Sequence, residues 1–242
     1  MGQKKQLVYK TSEELVTKAA QYIAAAAKGA ITHHGGLHIA LSGGRTPAHL
    51  YDYLAEKGKQ LGIDWSRVHF YFSDERCVPP DSFDSNFGMA QQLLLSRVKT
   101  PHEQIHRIQG EKDPELAAML YEEEIKKSLP YNNEGVPCFD LILLGLGTDG
   151  HTASLFPYTS GIEVSGQMVT ANYINKLETW RVTLTFSAIN SAKRVVLLAE
   201  GIEKRDILRA IRDEKADPEE FPILRVKPQG EYSWFLDRLA AE

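Results

Sequence analysis

The stretch FDLILLGLGTDGHTASLFP, from Phe139 to Pro157, constrains the fold of this chain more than any other part of it. It holds an unbroken apolar run, Leu141 to Leu144, which is typical of a strand buried on both faces of a parallel sheet. Three glycines then indicate a turn at the carboxyl end of that strand. The stretch therefore predicts a central strand whose following turn carries Asp149 and His151.

The position of this turn indicates a ligand site. In open α/β sheets ligands bind at the carboxyl ends of the strands, and a histidine there exchanges a proton near neutral pH. The glycines also form a GxGxxG at 145, 147 and 150. A dinucleotide fingerprint needs a long helix after its third glycine, but Pro157 follows that glycine by only seven residues. A dinucleotide site is therefore a weak interpretation, and a plain glycine turn is the other alternative.

The composition indicates a compact globular protein. A chain of 242 residues with 43% apolar content is long enough to bury a sizeable core. No repeat or low-complexity linker divides it, so we expect one domain over residues 1–242 with a small lid-like insertion. The formal net charge is −4, from 28 basic and 32 acidic residues, and this excludes the basic footprint of a nucleic-acid-binding protein.

Metal and membrane binding find no support in the sequence. Cys77 and Cys138 lie far apart without a CxxC pair, and no HExxH spacing occurs, so we expect no metal site and no disulfide framework. The N-terminal stretch MGQKKQLVYK has no apolar signal-peptide core, and no apolar run of 18 residues is present. We therefore expect a cytoplasmic protein that does not contact membranes, and a monomer.

A glycine loop near the N-terminus predicts an anion site. The predicted strand Leu37 to Leu41 runs into SGGRTP, where Thr46 is a plausible N-cap and Pro47 suits the first helical position. Backbone N–H groups and the helix dipole at such a point favour a phosphate, with a plain strand-to-helix turn as the alternative. The candidate binding residues of this loop are Ser42, Gly43, Gly44, Arg45 and Thr46.

A second predicted strand, Arg67 to Phe72, ends in the polar sequence SDER. Arg76 is suited to bind a phosphate with two parallel hydrogen bonds, while Asp74 is suited to hold sugar hydroxyls or to orient a base. A surface cluster of ion pairs is the alternative. Two further cations are candidates: Arg181, in the alternating segment WRVTLTF, and Lys204, in the first turn of the predicted helix GIEKRDILRAIRD. Each is equally compatible with simple exposure to solvent.

The remaining elements follow from capping residues and periodicity. We predict a helix over roughly 12–32, a helix from Asp84–Asn86 to about Arg97, and a helix from Asp113 to about Ser128. We also predict a loop over 130–137, a hairpin from the segments 167–174 and 180–186 that covers the crevice, and a buried strand over 194–199. The last part is expected to be a strand in PILRVKPQG and a closing helix in EYSWFLDRLAA.

Taken together, SGGRTP, SDER and GLGTDGHTASLFP, each at a predicted strand end, resemble the 6-phosphogluconolactonase family. The resemblance extends through WRVTLTFSAIN, the GIEK helix and the terminal WFLD, and DGHTASLFP is its most specific motif. It implies an α/β fold with a Rossmann-like, mostly parallel sheet flanked by helices and a small lid-like subdomain. Glucosamine-6-phosphate deaminase and ribose-5-phosphate isomerase have a similar fold. One departure is Phe221-Pro222-Ile223, where the family often has Leu-Pro-Ala.

The deaminases provide the main alternative function. Their related turn resembles DGHIAFNEP, with a glutamate that assists the histidine, and they have DEY in place of DER. In this chain Phe156 stands in the place of the glutamate and Arg76 in that of the tyrosine. Deamination needs that carboxylate as a proton shuttle, whereas lactone hydrolysis needs one base and a stabilised oxyanion. A non-catalytic phosphosugar-binding protein is a third possibility, which the retention of His151 and Asp149 disfavours.

The resemblance implies hydrolysis of 6-phospho-D-glucono-1,5-lactone, a sugar-phosphate lactone, without metal or cofactor. His151 is then the general base, and either Asp149 or Asp74 orients it. The phosphate is expected at the Ser42–Thr46 loop with Arg45, Arg76 and Lys204. The oxyanion is expected to bind either the N–H groups of the glycine turn or Arg181.

Overall fold

The computed structural model describes residues 4–132, 134–213 and 215–242. Outside the described residues lie positions 1–3, 133 and 214 of the expected single domain. One of them, position 133, belongs to the expected 130–137 loop. The strands are β1 (Lys4–Tyr9), β2 (Leu37–Leu41), β3 (Val68–Phe72), β4 (Asp74–Arg76), β5 (Leu141–Leu144), β6 (Val169–Ile174), β7 (Thr179–Leu184), β8 (Arg194–Ala199) and β9 (Glu231–Asp237). The α-helices are α1 (Ser12–His34), α2 (Arg45–Lys57), α3 (Asn86–Ala90), α4 (Pro114–Ser128), α5 (Phe186–Ser191), α6 (Arg205–Ala210) and α7 (Arg238–Ala241).

The main sheet of the described residues has six parallel strands in the order β3-β2-β5-β8-β9-β1. All four residues of β5 are buried, as the apolar run predicts for a strand covered on both faces. From β2 the chain first adds β3 on one side and then crosses back to add β5 on the other. The strand order therefore reverses between β2 and β5, and a reversal of this kind opens a crevice at the carboxyl ends of the two strands.

A smaller antiparallel sheet, in the order β4-β7-β6, lies beyond the carboxyl end of β3. The hairpin predicted from segments 167–174 and 180–186 is confirmed, with the strand bounds shifted by one or two residues. The SDER sequence contributes a strand, β4, where a polar strand end was expected, because its backbone pairs with β7. The main chain of Ser73 connects the two sheets: its N–H donates to Leu41 O and its carbonyl accepts from Leu184 N.

Helices α1 and α4 begin where their capping residues predict. The hydroxyl of Thr11 accepts from the N–H of Glu14 at the start of α1, and Asp113 caps α4 in the same way. The helix predicted from Asp84–Asn86 begins at Asn86, with Ser85 as its N-cap, and changes to π-helical geometry over Gln91–Leu95. The predicted GIEK helix is a 3₁₀ turn, Ile202–Lys204, followed by α6.

Three predictions of local structure are wrong. Helix α2 begins at Arg45 with Gly44 as its N-cap, so Thr46 lies inside the helix; Gly44 has φ 103°, which favours a residue without a Cβ. In the C-terminal part, Pro222–Arg225 is a 3₁₀ turn where a strand was expected, and EYSWFLD is β9 where a helix was expected. A short apolar run does not distinguish a buried strand from a helix, and β9 lies between β8 and β1 in the sheet.

Three histidine rings stack at the amino-terminal side of the sheet, away from the crevice. His38 and His69 stack with ring centroids 4.5 Å apart, and His69 and His106 with centroids 5.6 Å apart. His106 Nδ1 bonds to Glu124 Oε1 at 2.7 Å, and His38 Nδ1 to the Tyr71 hydroxyl at 3.1 Å. Burial lowers the pKa of all three histidines, that of His38 to about 3. The stack is therefore neutral in the folded protein at pH 7.

We predict that this stack makes the protein sensitive to acid. The unfolded chain protonates these histidines near pH 6.5, whereas the folded chain does so at lower pH, so stability is full above pH 6.5 and falls as the pH decreases. Each such proton contributes a slope of about 1.4 kcal/mol per pH unit to the free energy of unfolding. Urea unfolding between pH 7.5 and 5.5 measures the slope. It should be smaller in His38→Gln and unchanged in the exposed-site control His102→Gln; equal slopes in all three proteins would contradict the account.

Candidate active site

A cavity of about 490 Å³ lies at the carboxyl ends of β2 and β5, where the strand order reverses. Every residue that the sequence marked as a candidate lines it. These residues are Ser42, Gly43, Gly44, Arg45, Thr46, Asp74, Arg76, Asp149, His151, Arg181 and Lys204. The fold therefore brings the three motifs together from positions that are far apart in the chain.

His151 and Asp149 contact each other within the turn after β5. His151 Nδ1 lies 2.5 Å from Asp149 Oδ1, so a neutral imidazole donates through Nδ1 and keeps the lone pair on Nε2. The turn is closed by Gly147 N–H donating to His151 O and Gly150 N–H donating to Gly147 O. A Cβ on Gly147 would lie 2.0 Å from His151 Nδ1. The absence of a side chain at position 147 thus allows the imidazole to reach Asp149.

Asp74, the other candidate for orienting His151, is held in a different way. It is buried, and its carboxylate accepts from the Ser154 hydroxyl at 2.7 Å and from the Ser73 hydroxyl at 3.1 Å. Ser154 follows Ala153, whose φ of 48° is rare for a residue with a side chain. Of the two carboxylates, Asp149 is the one hydrogen-bonded to the imidazole, and Asp74 contributes a buried negative charge nearby.

Burial is the largest cause that lowers the pKa of His151; Asp74 raises this pKa, the cations Lys204, Arg181 and Arg76 lower it, and the net value is about 4. The ring of Phe156 covers one face of the imidazole, with centroids 3.9 Å apart and planes inclined by 18°. Phe156 thus lies against the histidine, at the position where the deaminase motif has its glutamate. The imidazole is neutral at pH 7, as a general base must be.

Arg76 and Arg181 lie directly opposite each other in the β4–β7 register. Like charges in this arrangement repel one another, so the pair is costly unless an anion lies between or beside them. Burial and the charge of Arg76 both lower the pKa of Arg181. Arg76 is fixed by a hydrogen bond from its guanidinium to Asp84 O at 2.5 Å. The two guanidinium groups form a preorganised positive wall of the cavity.

The loop after β2 and Lys204 line the same cavity. Gly43 packs against Asn86, because a Cβ on Gly43 would lie 2.0 Å from the Asn86 side-chain oxygen. Arg45 forms an ion pair with Glu203, and its Nε lies 3.6 Å from Glu200 Oε1, so carboxylates already balance its charge. Burial lowers the pKa of Lys204, Glu203 opposes this effect, and Arg45 adds to it. Lys204 is therefore better placed than Arg45 to receive an anion.

Sequence reasoning missed several lining residues: Asn86, Ser154, Lys176, Glu200 and Glu203. Asn86 donates to Asp74 O at 2.9 Å, and Lys176 forms an ion pair with Asp149 from the tip of the β6–β7 hairpin. Ser154 stands in DGHTASLFP and Glu203 in GIEK, but the sequence assigned neither of them a chemical role, and the other three positions lie outside the motifs. In the described part of the chain, no group of three or more His, Cys, Asp or Glu side chains is arranged to hold a metal ion.

Comparison with known proteins decides the family. The sequence profile of the glucosamine-6-phosphate isomerases/6-phosphogluconolactonase family matches residues 10–234. The chain belongs to this family. A 6-phosphogluconolactonase of Synechocystis is 42% identical to it over 214 residues, which cover 88% of this chain and 87% of the relative.

Solved structures of the family have the same fold. The 6-phosphogluconolactonase of Trypanosoma brucei has a TM-score of 0.87 at 30% identity and covers 100% of this chain and 98% of its own. A monomeric glucosamine-6-phosphate deaminase has a TM-score of 0.83 at 21% identity, covering 98% of each chain, and this likeness concerns the fold alone. The α/β architecture expected from the sequence motifs is confirmed.

We predict that Gly147→Ala separates His151 from Asp149. The new methyl group occupies the space of the imidazole, which must turn away from its half-buried position. The pKa of His151 should then rise from about 4 towards 6.5, because desolvation is its largest cause. An NMR titration of the His151 ring protons measures this change. Gly29→Ala in α1, where a Cβ meets nothing within 4 Å, is the matched control and should leave the titration unchanged. Titration near pH 4 in both variants would contradict the proposed packing.

Proposed function

We propose that this protein hydrolyses 6-phospho-D-glucono-1,5-lactone to 6-phospho-D-gluconate, a step of the oxidative pentose phosphate pathway. A relative from Synechocystis with 42% identity carries the name 6-phosphogluconolactonase, and one cavity is lined by His151 and by the cations Arg76, Arg181 and Lys204. The observation that carries the proposal is that the Arg76–Arg181 pair and the Asp149–His151 pair line one cavity. This arrangement suits a substrate with an anion at one end and an electrophilic carbon at the other.

The substrate phosphate is assigned to Arg76, Arg181 and Lys204. A dianion there relieves the repulsion between the two guanidinium groups and places the lactone ring towards the turn after β5. The N–H groups of the Ser42–Thr46 loop are suited to add further donors at the start of α2. This binding is remote from the reacting carbon, so its role is to position the substrate.

In the reaction, Nε2 of His151 takes a proton from a water molecule while the water oxygen attacks C1 of the lactone. The carbonyl electrons move to the exocyclic oxygen, which becomes an oxyanion and needs a donor other than the Gly147 and Gly150 N–H groups, because these two close the turn. The intermediate then collapses, the bond from C1 to the ring oxygen breaks, and the protonated imidazole returns its proton to that oxygen. Asp149 holds the Nδ1–H throughout and stabilises the transient imidazolium. No metal or organic cofactor takes part in this scheme.

The alternative of amino-sugar deamination is less well supported. In the deaminase motif a glutamate stands where this chain has Phe156, and that ring stacks on His151. A phenyl ring cannot carry a proton between substrate atoms, whereas hydrolysis of an activated ester needs only the histidine.

The first experiment follows hydrolysis of freshly generated 6-phosphogluconolactone above its spontaneous rate, with glucosamine-6-phosphate as a parallel substrate in metal-free buffer. Rapid lactone loss without release of ammonia is expected. Ammonia release without lactonase activity would overturn the proposal in favour of deamination, and no activity on either substrate would favour a binding protein.

We further propose that the protein acts as a monomer in the cytoplasm. Among the described residues, no helix combines the length and the apolar character that crossing a bilayer requires. Light scattering during size-exclusion chromatography tests the monomer, which for this chain has a mass of 27.1 kDa.

Loss of the base should abolish most of the turnover. We expect His151→Ala to lower kcat by about 10²–10⁴-fold with phosphate affinity retained, because general-base catalysis of this kind contributes that much. In the wild-type protein, kcat should fall at low pH with an apparent pKa between 6.5 and about 4, the pKa of His151 in the free protein. The value in the complex should be the higher one, because the bound dianion offsets the cations that lower the pKa of His151. Stopped-flow assays with an indicator measure both. Turnover comparable to wild type in His151→Ala would eliminate this residue as the base.

Removal of Arg76 should act on binding. We expect Arg76→Met to raise KM by about tenfold with little change in kcat, because the phosphate charge is the same in the ground and transition states. The effect should shrink at high salt, which screens the interaction in both proteins. Arg67→Met, at the opposite end of β3, is the control. A fall in kcat alone would mean that Arg76 serves the reacting carbonyl.

A further inference from the structure

Lys176 extends from the β6–β7 hairpin to the turn that carries His151. It lies in the 3₁₀ turn Asn175–Leu177 at the tip of the hairpin. Its Nζ forms an ion pair with Asp149 Oδ2, while Oδ1 of the same carboxylate bonds to His151 Nδ1. The two oxygens of Asp149 are therefore held by two different partners, one on each side.

Lys176 also contacts the residue that covers the imidazole. Its Nζ lies 4.8 Å from the centroid of the Phe156 ring, within cation–π distance. Phe156 in turn stacks on His151 with a centroid separation of 3.9 Å. One ammonium group thus touches both side chains that determine where the imidazole lies.

The hairpin that carries Lys176 also carries Arg181, five positions later in β7, opposite Arg76. The connection between these two cations is short and consists of the 3₁₀ turn and the start of the strand. The small sheet therefore delivers one cation to the anion end of the cavity and another to the base. This arrangement gives the hairpin a role beyond covering the crevice.

We propose that Lys176 is a positioning residue for the general base. It holds Asp149 in the orientation in which Oδ1 accepts from Nδ1, so that the proton stays on Nδ1 and the lone pair stays on Nε2. The proposal rests on the hydrolytic function proposed above. The competing interpretation is an ordinary surface ion pair: the Lys176 side chain is 52% exposed, and such pairs often contribute nothing measurable to stability.

Kinetics of three lysine variants separate these interpretations. Lys176→Met removes the charge but keeps an unbranched stem, Lys176→Arg keeps the charge, and Lys59→Met removes an exposed lysine elsewhere. We expect Lys176→Met to lower kcat about three- to tenfold with KM for the lactone nearly unchanged, and Lys176→Arg to restore most of the rate. Lys59→Met should match the wild type. A rise in KM at constant kcat would instead make Lys176 a substrate-binding residue and overturn the proposal.

A double-mutant cycle tests the route through Asp149. In an Asp149→Asn background, Lys176→Met should change kcat little further, because the group on which it acts is already altered. If the two substitutions instead lower kcat by independent factors that multiply in the double variant, the proposal is overturned. Together the variants distinguish an action through the carboxylate from a general effect of charge near the cavity.

A spectroscopic readout keeps this test separate from the proposed activity. Nitrogen-15 NMR of the imidazole reports which ring nitrogen carries the proton. The wild-type protein should show His151 with a protonated Nδ1 and an unprotonated Nε2, and Lys176→Met should move both signals towards the average of exchanging tautomers. Identical spectra would refute the positioning role. If the wild-type protein is inactive on the lactone but Lys176→Met still changes the spectrum in this way, the hydrolytic function alone is refuted.

Discussion

The reversal of strand order between β2 and β5 is the constraint on which the site depends. Because β3 is added on one side and β5 on the other, the loops that leave β2 and β5 diverge and open a crevice between them. The glycine loop at Ser42–Thr46 and the turn with His151 face this crevice from its two sides. The small sheet is attached through the main chain of Ser73 and brings Arg76 and Arg181 to the same cavity.

Charge is divided unevenly within that cavity. The arginine pair and Lys204 contribute positive charge, while burial of the imidazole beside Phe156 disfavours a charge on His151 itself. Burial, strengthened by the cations, lowers the pKa of His151 and keeps it neutral and basic at pH 7. An anionic substrate offsets the same cations, so its binding makes the imidazole more able to accept a proton. The proposed anion site would thus support the proposed chemistry as well as the affinity.

Most of the fold was predictable from local sequence signals, because each signal has a local physical cause. The apolar run of β5, the caps Thr11 and Asp113, and the glycines around His151 act within a few residues. Features that depend on pairing over long distances were not predictable. The sequence of β9 predicts a helix, but the segment is a strand. The position of Arg76 opposite Arg181 follows from a register that neither segment encodes alone. Lys176 was missed for the same reason, since only the folded hairpin places it on Asp149.

The central claim is that one cavity holds the phosphate at the arginine pair and the reacting carbon at His151. A crystal structure of the protein with the product, 6-phosphogluconate, tests it most directly. The account predicts the phosphate within hydrogen-bond distance of Arg76 and Arg181, and the C1 carboxylate next to Nε2 of His151. A product bound in the opposite orientation, with its phosphate at His151, would contradict the assignment of both ends of the site.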